Sequence, residues 1–320
     1  DGQMLWITAE EKGVLPIFRM NADGTGLTPV YSAGTSTAVE TKAGALVFLN
    51  DNTSRPAELF TLDPATGQAR QLTHFNDAAV AQLDLGRVES YWFTGANADQ
   101  IQGWLVYPPG YDAKKTYPLV QLMHGGPHTM CRDSWSYRWN THVFAAPGYV
   151  VTWVNRHGST GFSEKFSRSI LNQWGEMPFD DIMKSTDFLL KKLPNLDATR
   201  LAAAGASYGG YMVNWVHGQA PDRFRAFVCH DGNLDERMAY FDTEELWFPE
   251  WEHGGTPWDK DANYGKHNPI DFVDKWKTPM LVIHGALDYR VVDTQGLSTF
   301  TALQRRGIPS QLLYFPDENH

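Results

Sequence analysis

Of the 320 residues 42% are hydrophobic and 20% charged, the balance of a globular chain that buries a large core, and the length exceeds one ordinary domain. The formal charge of -10, with no Lys/Arg run interleaved with aromatics, argues against a nucleic-acid partner. No stretch approaches the roughly 18 apolar residues of a membrane span, so no membrane partner is expected.

The chain opens Asp1-Gly2-Gln3-Met4, with neither a leader nor an initiator Met, so either a leader has been removed or the sequence is part of a longer one. Cys131 and Cys229 are too few for a disulfide framework and read as unpaired thiols, leaving the compartment open.

Up to about residue 86 the pattern predicts short strands at Met4–Thr8, Pro16–Met20, Ala45–Leu49 and Leu59–Leu62, with no helical period. Two segments resemble each other, Ile17 to Gly24 followed by Leu27-Thr28, and Leu59 to Gly67 followed by Leu72-Thr73. Their offset of about 40 to 45 residues is near the roughly 40 to 50 of a four-stranded propeller blade. Asp-Gly turns serve any hairpin, so an ordinary antiparallel sheet stays open. Two blades cannot close a propeller of four to eight, so the sequence is expected to begin inside a larger one.

From about residue 87 the pattern changes. Strands are predicted at Val88–Thr94, Gln102–Tyr107, Pro118–Met123 and Tyr149–Val154, then a helix over about Phe179–Lys192 with Asp180 and Asp181 in its first turn, where the helix dipole favours acids. Strand Leu201–Ala204, a helix after Ser207, strands Phe224–Cys229 and Met280–His284, a helix over about Thr294–Arg306 and strand Gln311–Phe315 complete the series. Strands alternating with helices mean a mostly parallel sheet with right-handed crossovers. The expected fold class is α/β, an α/β-hydrolase over 87–320 preceded by part of a β-propeller over 1–86.

The chemistry centres on Gly205-Ala206-Ser207-Tyr208-Gly209, the one G-x-S-x-G in the chain, between a small-residue strand and a helix. In that sharp turn the serine is held in a strained conformation with its Oγ exposed, while the glycines let strand and helix approach. A serine needs a base to take its proton and an acid to orient the base, and in this fold they follow in the order serine, acid, histidine. Asp288, in the loop after strand Met280–His284, stands where the acid belongs. Of eleven histidines only His320 lies beyond it. Asp317 and Glu318 are rival acids that share the loop of His320 and more simply shape it. Two N–H donors for an oxyanion are expected from Tyr208 and from Gly126 in the loop His124-Gly125-Gly126-Pro127.

The segment Met238–Trp251 is dense in aromatics and reads either as core or as a side-chain pocket beside the nucleophile. Phe241 and Trp247 are its candidate pocket residues. Arg290 either binds a substrate carbonyl or pairs with a carboxylate. No cluster has metal-ligand spacing and no glycine loop cradles a phosphate, so no metal and no cofactor are expected.

These residues are similar to those of the prolyl oligopeptidase family of serine peptidases, in its acylaminoacyl-peptidase and dipeptidyl-peptidase V branch. The matching pieces are His124 to Pro127, Ser134 to Asn140, Arg156 to Phe162, Gly205 to Tyr211, Glu244 to Glu250, His284 to Val291 and Asp317 to His320. The resemblance implies a propeller capping the hydrolase domain, short peptide substrates, release of dipeptides or acylated residues from N-termini, and apolar side chains at the cleaved bond. It also implies that Tyr208 lines the primary pocket and that Arg290 and Val291 hold the substrate backbone. It favours a periplasmic or secreted protein, with a cytoplasmic one open, and leaves a homo-oligomer open. The family continues past the histidine with a further helix, so the sequence is expected to be incomplete at both ends. An esterase acting on small acyl esters and an inactive binding fragment are the alternative readings.

Overall fold

The computed structural model describes residues 2–42 and 45–320. Seven strands come first: β1 (Met4–Thr8), β2 (Ile17–Asn21), β3 (Thr28–Tyr31), β4 (Thr35–Lys42), β5 (Ala45–Asn52), β6 (Arg55–Asp63) and β7 (Gln68–Gln71). They form two antiparallel sheets, β1-β2-β3 and β4-β5-β6-β7, each in sequence order. The two similar sequence segments are the hairpins β2–β3 and β6–β7. In each turn a backbone N–H caps an aspartate, Thr25 on Asp23 and Ala65 on Asp63, both at 2.9 Å. Alternation turns Ile17, Leu46, Phe48, Phe60 and Leu62 into one buried core, and β3, β4 and β7 complete sheets whose sequences carry weaker alternation.

A short helix α1 (Asp77–Val80) leads to β8 (Val88–Thr94), β9 (Gln100–Val106), β10 (Tyr117–Met123), α2 (Thr141–Ala145), β11 (Val150–Asn155), α3 (Glu164–Arg168) and α4 (Met177–Lys192). Then follow β12 (Leu196–Ala206), α5 (Tyr208–Gln219), β13 (Ala226–His230), α6 (Glu236–Asp242), α7 (Trp247–His253), β14 (Met280–Gly285), α8 (Asp293–Arg305) and β15 (Ser310–Phe315). The eight strands β8 to β15 make one sheet in the order β15-β14-β13-β12-β10-β11-β9-β8. Strands β10 to β15 pair in parallel and β8 and β9 add an antiparallel edge. All parallel neighbours end on the same side, and the loops following them build the site.

The sheet is buried because its central strands read apolar on both faces. Leu119, Val150, Leu201, Ala203, Phe227 and Met280 join the larger core with Tyr211, Met212 and Val216 of α5, while Leu122, Val151 and Ala204 pack on the opposite face with Ala145. Between the small sheets and the large one, Asp133 accepts the Thr53 N–H at 2.8 Å and Asp51 accepts the Trp135 N–H at 2.8 Å. No helix among the described residues is long and apolar enough to cross a membrane.

One buried histidine fixes a pH dependence of this fold. His217 of α5 is 0% exposed and its Nε2 accepts the N–H groups of Lys277 and Thr278, at 3.0 and 2.9 Å, so the ring is neutral with its proton on Nδ1. Burial pushes its pKa down to about 3. Because the folded value lies below the unfolded one, the unfolded chain takes up the proton first. The contribution is complete above pH 6.5 and is lost as pH falls toward 3, at about 1.4 kcal/mol per unit. His217→Gln, which keeps an acceptor and cannot titrate, is expected to reduce the stability lost between pH 7 and 5 by about 2 kcal/mol in urea unfolding. An unchanged pH slope would mean that the ring is already protonated in the fold.

Candidate active site

Strand β12 runs into α5 with almost no turn between them, and the sequence allows this only through its glycines. A Cβ on Gly205 would lie 2.3 Å from the Gly209 carbonyl oxygen, and one on Gly209 would lie 2.0 Å from that of Met123. Between them Ser207 takes φ 60, ψ -126, a conformation costly for a side-chain-bearing residue, as the strained nucleophile turn requires. Its N–H is tied to the His230 carbonyl at 3.0 Å.

His320 Nε2 lies 2.9 Å from Ser207 Oγ and its Nδ1 lies 2.7 Å from Asp288 Oδ2. The three side chains come from the loops after β12, β14 and β15. Asp288 is 1% exposed, and its other oxygen accepts the N–H groups of Arg290 at 3.0 Å and Val291 at 2.9 Å. Asp317 and Glu318, the rival acids, are exposed, and the carbonyl of Glu318 accepts the Leu287 N–H at 3.0 Å, which ties the two loops together.

The glycine loop is held against Ser207. A Cβ on Gly125 would stand 3.2 Å from Ser207 Cβ, and Gly126 lines one cavity with Ser207 and Tyr208. Tyr208 opens α5, so its N–H is a first-turn donor with no carbonyl one turn back. Arg156, which sequence reasoning did not single out, ties these parts together. Fully buried, it donates to the carbonyls of His157 at 2.9 Å and His124 at 3.3 Å and lies 4.2 Å over the Tyr208 ring. Burial, and then the charge of Arg156, push the His124 pKa well below its ordinary value, so that ring is neutral.

The cavity at Ser207 has a volume of about 60 Å³. Trp174, Phe248 and Val291 are among its walls, with the ring of Tyr208, whose hydroxyl donates to the Trp174 carbonyl at 2.7 Å. Val291 is therefore at the site, but both its backbone groups are engaged, the N–H with Asp288 and the carbonyl with His284 Nε2 at 2.7 Å. Arg290 also lines the cavity and pairs with Glu245 at 3.0 Å, so the carboxylate partner is present. Phe241 and Trp247 do not line it. They are 69% and 66% exposed, because the inner faces of their short helices are taken by neighbours such as Ala239 and Phe248. The sequence reading missed Trp174, Asn233, Glu236 and His253, which enter from separate segments; the one signal available was a polar patch, Asn233 to Arg237, immediately after a buried strand.

A larger cavity of about 300 Å³, walled by Trp104, Trp135, Trp139 and Trp153, does not include Ser207, so volume is not what marks the site. Among the described residues one group has ligand atoms within 4.8 Å of one another, Asp231, His284 and Asp288, all buried. His284 Nε2 and both oxygens of Asp288 are already spent on the hydrogen bonds given above.

The described site can hold a nucleophile, a base and an oriented acid beside a pocket, which is the equipment of acyl transfer. The prolyl oligopeptidase family, peptidase family S9, matches residues 135–320. A dipeptidyl-peptidase 5 of Schizosaccharomyces pombe is 45% identical over 72% of this chain and 34% of its own length. A probable dipeptidyl-peptidase 5 of Aspergillus clavatus is 40% identical over 100% of this chain and 45% of its own. An acylaminoacyl peptidase of Pyrococcus horikoshii superposes with TM-score 0.89 at 27% identity, over 99% of this chain and 50% of that one. The chain thus spans half or less of the length of these relatives, and its fold is an α/β-hydrolase preceded by part of a β-propeller. By the family match across more than half of its residues, the chain belongs to the prolyl oligopeptidase family.

Proposed function

We propose that this chain forms the catalytic part of a serine exopeptidase that releases dipeptides from the N-termini of short peptides. The observation that carries the reading is the unbroken line from Ser207 Oγ to His320 to buried Asp288, at 2.9 and 2.7 Å. In this reading Ser207 Oγ attacks the carbonyl carbon and gives its proton to His320 Nε2. The N–H groups of Gly126 and Tyr208 hold the oxyanion, and His320 returns the proton to the leaving amine as the C–N bond breaks. Water, deprotonated by the same imidazole, then releases the acyl group and restores Ser207. Asp288 holds the imidazole in the tautomer with Nδ1–H and stabilises its cation. Residues 87–320 supply this machinery and 1–86 belong to a cap that limits entry to small peptides.

The relatives named dipeptidyl-peptidase 5, at 37 to 45% identity, support dipeptide release. The structural likeness to acylaminoacyl peptidases favours a second reading, removal of acylated residues. A dipeptidyl amide and its N-acetylated counterpart separate the two. The free amine is expected to be cleaved at least about tenfold faster, with Ser207 acquiring a fluorophosphonate adduct by peptide mapping and Ser207→Ala inactive on both. Preference for the acetylated substrate moves the activity to the second reading, and full activity in Ser207→Ala would remove both.

A further inference from the structure

We infer that Thr129 is a positioning residue for the reaction: its hydroxyl, with the ring of His124, holds the Gly125 carbonyl and so fixes the peptide whose N–H, that of Gly126, takes the oxyanion. The inference rests on the acyl-transfer reading above and adds to it a residue outside the motif His124 to Pro127.

That motif carries two adjacent glycines, so its backbone has little stiffness of its own. An oxyanion donor works by being in place before the charge develops. The bonds to the Gly125 carbonyl supply the missing stiffness. It accepts one hydrogen bond from His124 Nδ1 at 2.8 Å and a second from Thr129 Oγ1 at 3.0 Å. The Gly125–Gly126 peptide is trans and planar, so its C=O and N–H point in opposite directions. Pinning the carbonyl therefore pins the Gly126 N–H, on the far side of the peptide from Thr129. That N–H donates to no acceptor among the described residues, and Gly126 is exposed and lines the cavity that holds Ser207.

Thr129 reaches the carbonyl because the chain folds back, its N–H donating to the Pro127 carbonyl at 3.1 Å. Its methyl carbon closes on Gly126, where an added Cβ would stand 3.0 Å from it. Both branches of the side chain thus bear on the glycine pair. A carbonyl only accepts, so His124 carries its proton on Nδ1, and Nε2 accepts the hydroxyl of Ser159, 0% exposed, at 2.9 Å. Nδ1 also lies 3.2 Å from Thr129 Oγ1, which accepts there while donating to Gly125. Hydrogen bonds linked in this way strengthen one another. Arg156 holds the carbonyls on either side, those of His124 and Pro127, and leaves the Gly125 carbonyl to these two side chains.

The test sets Thr129→Val beside Thr129→Ser. Thr129 is exposed, so a thermal melt should change little in either. Thr129→Val is expected to lower kcat on a free-amine dipeptidyl amide about tenfold with KM within about twofold, a smaller loss than deleting an oxyanion donor outright. Thr129→Ser, which returns the hydroxyl, should recover most of kcat. A peptide aldehyde, whose adduct with Ser207 carries an oxyanion, should bind Thr129→Val about tenfold more weakly than the parent. A kcat within about twofold of the parent in Thr129→Val, or a loss that Thr129→Ser shares, overturns the inference and leaves the peptidase reading standing. If the parent protein takes the fluorophosphonate adduct at Ser207 yet cleaves no dipeptidyl amide, the peptidase reading falls instead. Labelling rates then decide the role of Thr129, because the phosphoryl oxygen takes the same donors: labelling of Thr129→Val about tenfold slower supports it, and equal rates overturn it.

Discussion

Asp288→Asn is expected to lower kcat on a dipeptidyl amide by about four orders of magnitude while the protein keeps its fold. The asparagine can keep an oxygen facing the N–H groups of Arg290 and Val291, so the loop that Asp288 organises stays in place. Its NH2 then faces His320 Nδ1 where a carboxylate oxygen stood at 2.7 Å. Two donors cannot face each other, so the imidazole carries its proton on Nε2, which points at Ser207 Oγ and can no longer accept the serine proton. Steady-state rates beside a thermal melt check this. A variant retaining a tenth or more of the parental kcat would mean that Asp288 is not the acid, despite its burial, and Asp317 or Glu318 would have to be tested in turn.

Gly209→Ala should be among the most destabilising single-methyl substitutions in the protein, at about 3 kcal/mol or more. In an open helix the change would stabilise by up to roughly 1 kcal/mol, since alanine is the better helix former. Here the added carbon would sit 2.0 Å from the Met123 carbonyl oxygen and 3.2 Å from the His124 carbonyl carbon. Both neighbours are backbone, at the end of β10 and the start of the glycine loop, so neither can swing aside. To relieve the contact α5 must move off the sheet, carrying Ser207 and the Tyr208 N–H with it. A fall in the melting temperature of roughly 5 to 10 °C and slow fluorophosphonate labelling are the expected results. A variant as stable as its parent would show that propensity outweighs the contact, and that α5 does not rest on β10 in the folded protein.

These two substitutions also mark how far the sequence could be read. That Ser207, Asp288 and His320 meet was legible because each follows a strand with strong apolar patterning, and a parallel sheet brings those loops to one edge. The central strands and the helices α4, α5 and α8 were legible for the same reason. Helices α6 and α7 were not. They are seven residues each, too short to show a helical period, and α7 carries Pro249 in its first turns. With no period to say which face turns inward, Phe241 and Trp247 stood out by size, whereas the structure turns Ala239, Phe248 and Glu236 toward Ser207.

By itself, then, the sequence determined most strands of the large sheet, the helices α4, α5 and α8, and the chain order of Ser207, Asp288 and His320, because local patterning acts over a few residues at a time. Only the tertiary structure decided what surrounds them: Arg156 over Tyr208, Trp174 on the pocket wall, and a carboxylate at Glu236 with one oxygen unpaired. Those contacts join residues separated by tens of positions. The place of Glu236 depends on which side of a short helix faces inward, and those of Arg156 and Trp174 on how their loops pack, matters settled across the whole domain.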